Sequence, residues 1–123
     1  MPSEAPLTLV ALQNAICAAW GRDTSDDPDE WAENWRARGQ CGVTSLVVRD
    51  LLGGEILIAP VIGSHQKGEH HAWNRLTSGL ELDLTADQFR RGETLGTPVA
   101  REPYGHDRAA ILAARVRSAL ALS

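Results

Sequence analysis

Three residues of this chain carry the groups a cysteine nucleophile requires: Cys41 in Gly39-Gln40-Cys41-Gly42, His71 in His71-Ala72-Trp73, and Asp83 in Leu82-Asp83-Leu84-Thr85. The imidazole serves as base and then as imidazolium, while the carboxylate fixes its tautomer and orientation. The expected chemistry is attack of a Cys41 thiolate on a carbonyl to give an acyl-thioester, with His71 protonating the leaving amine. Water or an amine then takes the acyl group. Hydrolysis is the expected course, because 123 residues leave little room for a second substrate site that excludes water.

The elements that must position these groups are legible. Val43, Leu46, Val47 and Leu51 follow helical spacing between Gly39 and Gly53-Gly54, which predicts a helix from about Cys41 to Leu52. Cys41 then falls in the first turn, where free N–H groups and the positive dipole end favour a thiolate and offer an oxyanion site. Residues 70–76 and 80–84 read as a hairpin around Thr77-Ser78-Gly79. With a three-residue loop and Gly79 left-handed, Leu76 faces Leu80, Arg75 faces Glu81 and Trp73 faces Asp83. His71 becomes the diagonal neighbour of Asp83, within side-chain reach. A two-residue turn would put His70 on that face instead; the Arg75–Glu81 pairing favours the first register.

The remaining pattern completes an α+β layout. The apolar run from Leu7 to Trp20 predicts a buried helix. Asp27-Pro28-Asp29-Glu30 has the cap, first-turn proline and capping-box spacing of a second helix that ends at Gly39. Glu55 to Ile62 reads as a strand, with Pro60 marking an edge or bulge. Thr85-Ala86-Asp87-Gln88 has capping-box spacing for a single turn that holds Phe89. Asp107 to Leu122 predicts a closing helix, with Leu112, Val116, Ala119 and Leu120 as its buried stripe. All 123 residues form one expected domain.

His71-Ala72-Trp73 and Asp83-Leu84-Thr85 resemble the His and Asp strands of transglutaminase-like domains within the wider papain-like fold. More closely, Gly39 to Thr44, Trp73 to Leu76 and Asp83 to Phe89 resemble the bacterial YunG-like family. The first resemblance implies a Cys at a helix N-terminus packed on a small antiparallel sheet, with Cys41, His71 and Asp83 as nucleophile, base and orienting acid. It also implies an upstream Trp that helps to hold the oxyanion, for which Trp31 and Trp35 are the candidates. Papain shares the string Gly-Gln-Cys-Gly, but its nucleophile lies three residues beyond that Cys, at the position of Thr44 here.

Each residue also has a plainer reading. Cys41 could be a small residue at a tight helix start, and Asp83 a cap for the Thr85 turn. Gln40 is an N-cap or an oxyanion donor. Trp31 and Trp35, four apart, suit a packed helix face, and Trp35 is otherwise a wall of the site. Trp73 is the indole that shields His71 from water. Gln40, Trp73 and Trp35 are thus the candidate substrate contacts. His65, His70, His71 and Cys41 include metal-ligating types but lack zinc-motif spacing, so no metal or cofactor is expected.

Composition narrows the partners. A net charge of −4 without a basic stripe argues against nucleic acid. No apolar run approaches the ~20 residues of a membrane span. Only Cys17 and Cys41 are present, and Met1 to Pro6 lacks a signal-peptide pattern, so a reduced, cytoplasmic protein is expected with Cys17 as a buried core thiol. Three functions remain: a cysteine-dependent hydrolase or acyltransferase acting on a small-molecule, peptide or protein amide or a thioester, a non-catalytic binding or regulatory module on the same scaffold, and, weakest, a metal-binding domain. Substrate choice is expected to reside in the loops Gly63 to Glu69 and Gly92 to Gly105.

Overall fold

The computed structural model of the chain describes residues 7–64, 68–86, 89 and 92–122. It is an α+β arrangement of helices α1 (Leu9–Ala19), α2 (Cys41–Leu52) and α3 (His106–Ala119) with strands β1 (Glu55–Ile62), β2 (His70–Arg75), β3 (Glu81–Leu82), β4 (Thr94–Leu95) and β5 (Val99–Ala100). The antiparallel sheet runs β3-β2-β1-β4, and β5 also pairs with β1. Alternation divides the sheet residues by face. Ile56, Ile58 and Ala72 join the main core with Leu46, Val48, Leu112 and Val116, whereas Leu57, Ala59 and Trp73 form a second, smaller cluster.

The hairpin adopts the three-residue register. Arg75 pairs with Glu81 and Asn74 with Leu82. Leu76 N–H donates to the Leu80 carbonyl at 2.8 Å, and Gly79 has φ +92°. Although Arg75 and Glu81 pair across the strands, their side chains part: Arg75 Nε donates to Glu55 on β1 at 2.7 Å, while Glu81 accepts the Trp73 indole N–H at 2.6 Å. Leu80 is exposed, and Leu82 and Leu84 are half-buried against the core.

Pro60 lies in a central strand rather than at an edge, beside a one-residue slip in register: Ile58 pairs with Val99, whereas Val61 pairs with Leu95. Ile56 and Pro60 direct their carbonyls to that side of β1: Arg101 N–H donates to the Ile56 carbonyl at 3.1 Å, and Gly96 N–H to the Pro60 carbonyl at 2.8 Å. The missing Pro60 N–H therefore faces the break between β4 and β5, where no ladder bond is forfeited.

No regular helix forms over residues 27–38; the segment is a chain of turns with an isolated Ala32–Trp35 bridge. Its side chains are committed elsewhere. Arg36 reaches the Cys17, Ala18 and Trp20 carbonyls at 2.8–3.3 Å, satisfying the end of α1. Trp31 Nε1 donates to the Arg36 carbonyl at 2.9 Å, so Trp31 and Trp35 are not a helix face. Arg38 is buried among Asp27 (3.0 Å), Glu30 (3.1 Å) and Glu69 (2.8 Å). Cys17 is half-buried rather than fully enclosed. His65, Asp87 and Gln88 lie outside the described residues; beyond them, the Phe89 amide closes a turn on the Ala86 carbonyl at 3.2 Å. Among the described residues, no helix is long and apolar enough to cross a membrane.

Candidate active site

The approach to α2 is built by the residues just before Cys41. Gly39 has φ +74°, and a Cβ there would lie 2.9 Å from the Asp27 amide nitrogen and against Ser25 Oγ, so only glycine fits. Ser25 Oγ donates to the Arg38 carbonyl at 2.8 Å, and Asp26 N–H to the Gly39 carbonyl at 2.9 Å. Gln40 is fully buried. Its carbonyl accepts Thr44 N–H as the first helical bond. Its side chain instead turns away from the helix, accepting Thr24 Oγ1–H at 2.8 Å and donating to the Gly21 carbonyl at 3.0 Å. It makes no side-chain cap. Cys41 is thus set at the helix start by a locked loop, and its amide and that of Gly42 precede the hydrogen-bonded ladder.

Other bonds fix α2 against its neighbours. Trp20 Nε1 donates to Thr44 Oγ1 at 2.9 Å, joining α1 to α2. Ser45 Oγ donates to the Cys41 carbonyl at 2.7 Å, and Asn74 Nδ2 to the Ser45 carbonyl at 3.0 Å, joining α2 to β2. Thr44 is therefore an indole acceptor in the core.

His71, with no exposed surface, links the other two groups. Its Nε2 lies 2.7 Å from Asp83 Oδ2, just past β3. Asp83 Oδ1 also accepts Thr85 N–H at 3.3 Å, so one carboxylate oxygen meets the imidazole and the other caps the Thr85 turn. Burial pulls the imidazole pKa down, but hydrogen bonds to Asp83 and Cys41, with the charges behind them, outweigh it and push it up to about 9. With Nε2 committed to Asp83, Nδ1 is the ring nitrogen left for Cys41. The ring is clamped by Trp73, stacked at 5.7 Å, and by Phe89, edge-on at 4.6 Å. The exposed His70 instead has Nδ1 2.8 Å from the Gly68 carbonyl. His71, not His70, meets Asp83.

A cavity of about 270 Å³ opens beside Cys41 and His71. The segment before α3 and its first turn supply Arg101, Pro103, Tyr104 and Arg108, and Asp26, from the stretch before α2, also lines it. Gln40, Trp73 and Trp35 do not line it. Gln40 is turned toward Thr24, Trp73 packs behind His71, and Trp35 lies under the Arg38 guanidinium at 5.3 Å. The cationic and aromatic wall residues had only one signal in the sequence, their place in or next to the Gly92 to Gly105 passage. Among the described residues, no three His, Cys, Asp or Glu side chains converge as a metal site.

The family pattern of the YunG protein matches residues 8–121, which take in the whole of this site. The chain belongs to the YunG family. Over 72 residues this YunG-family chain is 36% identical to "Uncharacterized protein YunG" of Bacillus subtilis (strain 168). That alignment covers 58% of the chain and 55% of the relative, so the match spans about half the relative's length. No solved structure matches the YunG-family chain.

Proposed function

We propose that the protein is a cysteine-dependent hydrolase or acyltransferase built on a papain-like, transglutaminase-like plan, with hydrolysis as its main course. One observation carries this reading: a buried His71 hydrogen-bonded to Asp83 and interacting with Cys41, whose cavity gives a carbonyl a place to bind. At neutral pH the ring is an imidazolium between two acceptors, the state a thiolate nucleophile needs.

In the proposed reaction Cys41 Sγ bonds to the carbonyl carbon of an amide or thioester. The carbonyl oxygen takes up negative charge at the amides that open α2. The C–N bond of an amide then breaks as His71 gives its proton to the departing nitrogen, leaving an acyl-thioester and a neutral imidazole. Water attacks the thioester, His71 takes one of its protons, and the acid departs as the C–S bond breaks. Asp83 holds Nε2 throughout and stabilises each imidazolium.

The test is mass spectrometry of the intact protein after incubation with amide and thioester panels, beside Cys41→Ala. A Cys41-dependent acyl adduct or product is expected. Turnover that survives Cys41→Ala overturns the mechanism, and silence across the panels assigns the scaffold to binding rather than catalysis.

A further inference from the structure

The wall of the Cys41 cavity is charged in a way that the proposed chemistry does not use. Arg108, in the first turn of α3, is half-buried, and its Nε is fully enclosed with no hydrogen-bond partner among the described residues. A buried donor on a charged group left unpaired is costly, and guanidinium is the side chain best matched to a carboxylate fork. Arg101 shares this wall, and Asp26 is the carboxylate among the lining residues. Two guanidiniums against one carboxylate, beside a Cys41–His71 pair whose thiolate and imidazolium offset one another in the proposed mechanism, leave a single positive charge in a cavity of about 270 Å³. That balance suits one negative charge and repels a second. Gly105 supplies the space: a Cβ there would stand 2.7 Å from an Arg108 terminal nitrogen, so the absence of a side chain lets the guanidinium lie back against the chain.

We propose that Arg108 is a substrate-binding residue that receives a carboxylate, making the natural substrate a small monoanionic amide or thioester whose carboxylate sits in this cavity. This deepens, and rests on, the Cys41-dependent reading above. The carboxylate accepts terminal N–H groups of Arg108, beside the enclosed Nε, while Arg101 adds charge and the exposed Tyr104 stands on the same wall. Asp26 acts as the discriminator against dianions such as phosphate monoesters.

The test follows the Arg108 Nε–H resonance of the full chain by nitrogen-15 NMR, identified by its loss in Arg108→Lys. Butyrate, butyramide and inorganic phosphate are titrated in turn. The expected result is a saturable shift with butyrate, at roughly tenfold lower concentration than any shift from butyramide. Phosphate should bind more weakly than butyrate, and Asp26→Asn should narrow that gap. Equal responses to butyrate and butyramide, or no response to either, overturn the proposal, as does an unchanged preference for butyrate in Arg108→Gln followed through the Gly42 amide. The wild-type titration decides even if Arg108→Gln does not fold. Butyrate binding without any Cys41 acyl adduct would overturn the catalytic reading and leave the anion site standing. Acyl adducts without butyrate binding would do the reverse.

Discussion

The replacement Asp83→Asn tests what holds the proton on His71. It retains an oxygen that can accept from Nε2 but removes the carboxylate charge 2.7 Å away. The wild-type imidazole rises from an ordinary 6.5 to about 9. That displacement corresponds to about 3 kcal/mol of preference for the charged ring in the folded protein. With the carboxylate gone, burial works against the charge and only Cys41 supports it, so the pKa falls from about 9 toward 6.5. Carbon-13 NMR of the imidazole across pH 5.5 to 10 reads both values. The sign for stability follows from the folded value being the higher one. The contribution is fully present below pH 6.5 and is lost as pH rises through about 9. Wild-type Tm should therefore decline across that window, and the decline should be shallower in Asp83→Asn. A wild-type ring that titrates near 6.5, or a variant ring still near 9, would refute the reasoning.

Three further outcomes follow from particular contacts. Iodoacetamide near neutral pH should alkylate Cys41 ahead of Cys17, and His71→Ala should slow that reaction; peptide mapping showing equal labelling would count against the site. Arg38→Ala should destabilise the fold by roughly 3–5 kcal/mol in urea unfolding, because it leaves Asp27, Glu30 and Glu69 clustered without their shared cation. Gly39→Ala should cost on the order of 2 kcal/mol by the same measurement, since φ is +74° and its Cβ would press on the Asp27 amide nitrogen; a change within ~0.5 kcal/mol would show that this loop yields.

What could be read from the sequence depended on how local the determinants were. Gly39, Gly53 and the apolar spacing between them bounded α2, and Gly79 with the Arg75–Glu81 count placed His71 against Asp83. Both depend on short-range geometry, so residue counting reached them. The 27–38 segment misled because its helix signals, Asp27 and Pro28 above all, were outweighed by tertiary demands. Asp27 and Glu30 serve Arg38, and Arg36 serves α1. Gln40 was placed at the right position but its side chain points away from the site, a choice made by Thr24 and Gly21 at the other end of the loop. The strands β4 and β5 went unforeseen because each is two residues long and exists by pairing with β1. Arg101, Tyr104 and Arg108 join the cavity only when α3 docks, a contact separated from Cys41 by some sixty residues of chain.

That separation gives the protein a schedule. A Cβ on Gly42 would come within 3.2 Å of the Tyr104 carbonyl, so the segment before α3 lies directly on the start of α2. During synthesis the Cys41 thiol emerges early, His71 and Asp83 follow on the hairpin, and the wall from residues 101–108 comes last. Until residues 103–108 have been made and seated, the Cys41 cavity lacks this wall and Arg108 has no place beside it. Chain order thereby withholds the walled Cys41 cavity from the nascent polypeptide and completes it only when α3 is seated.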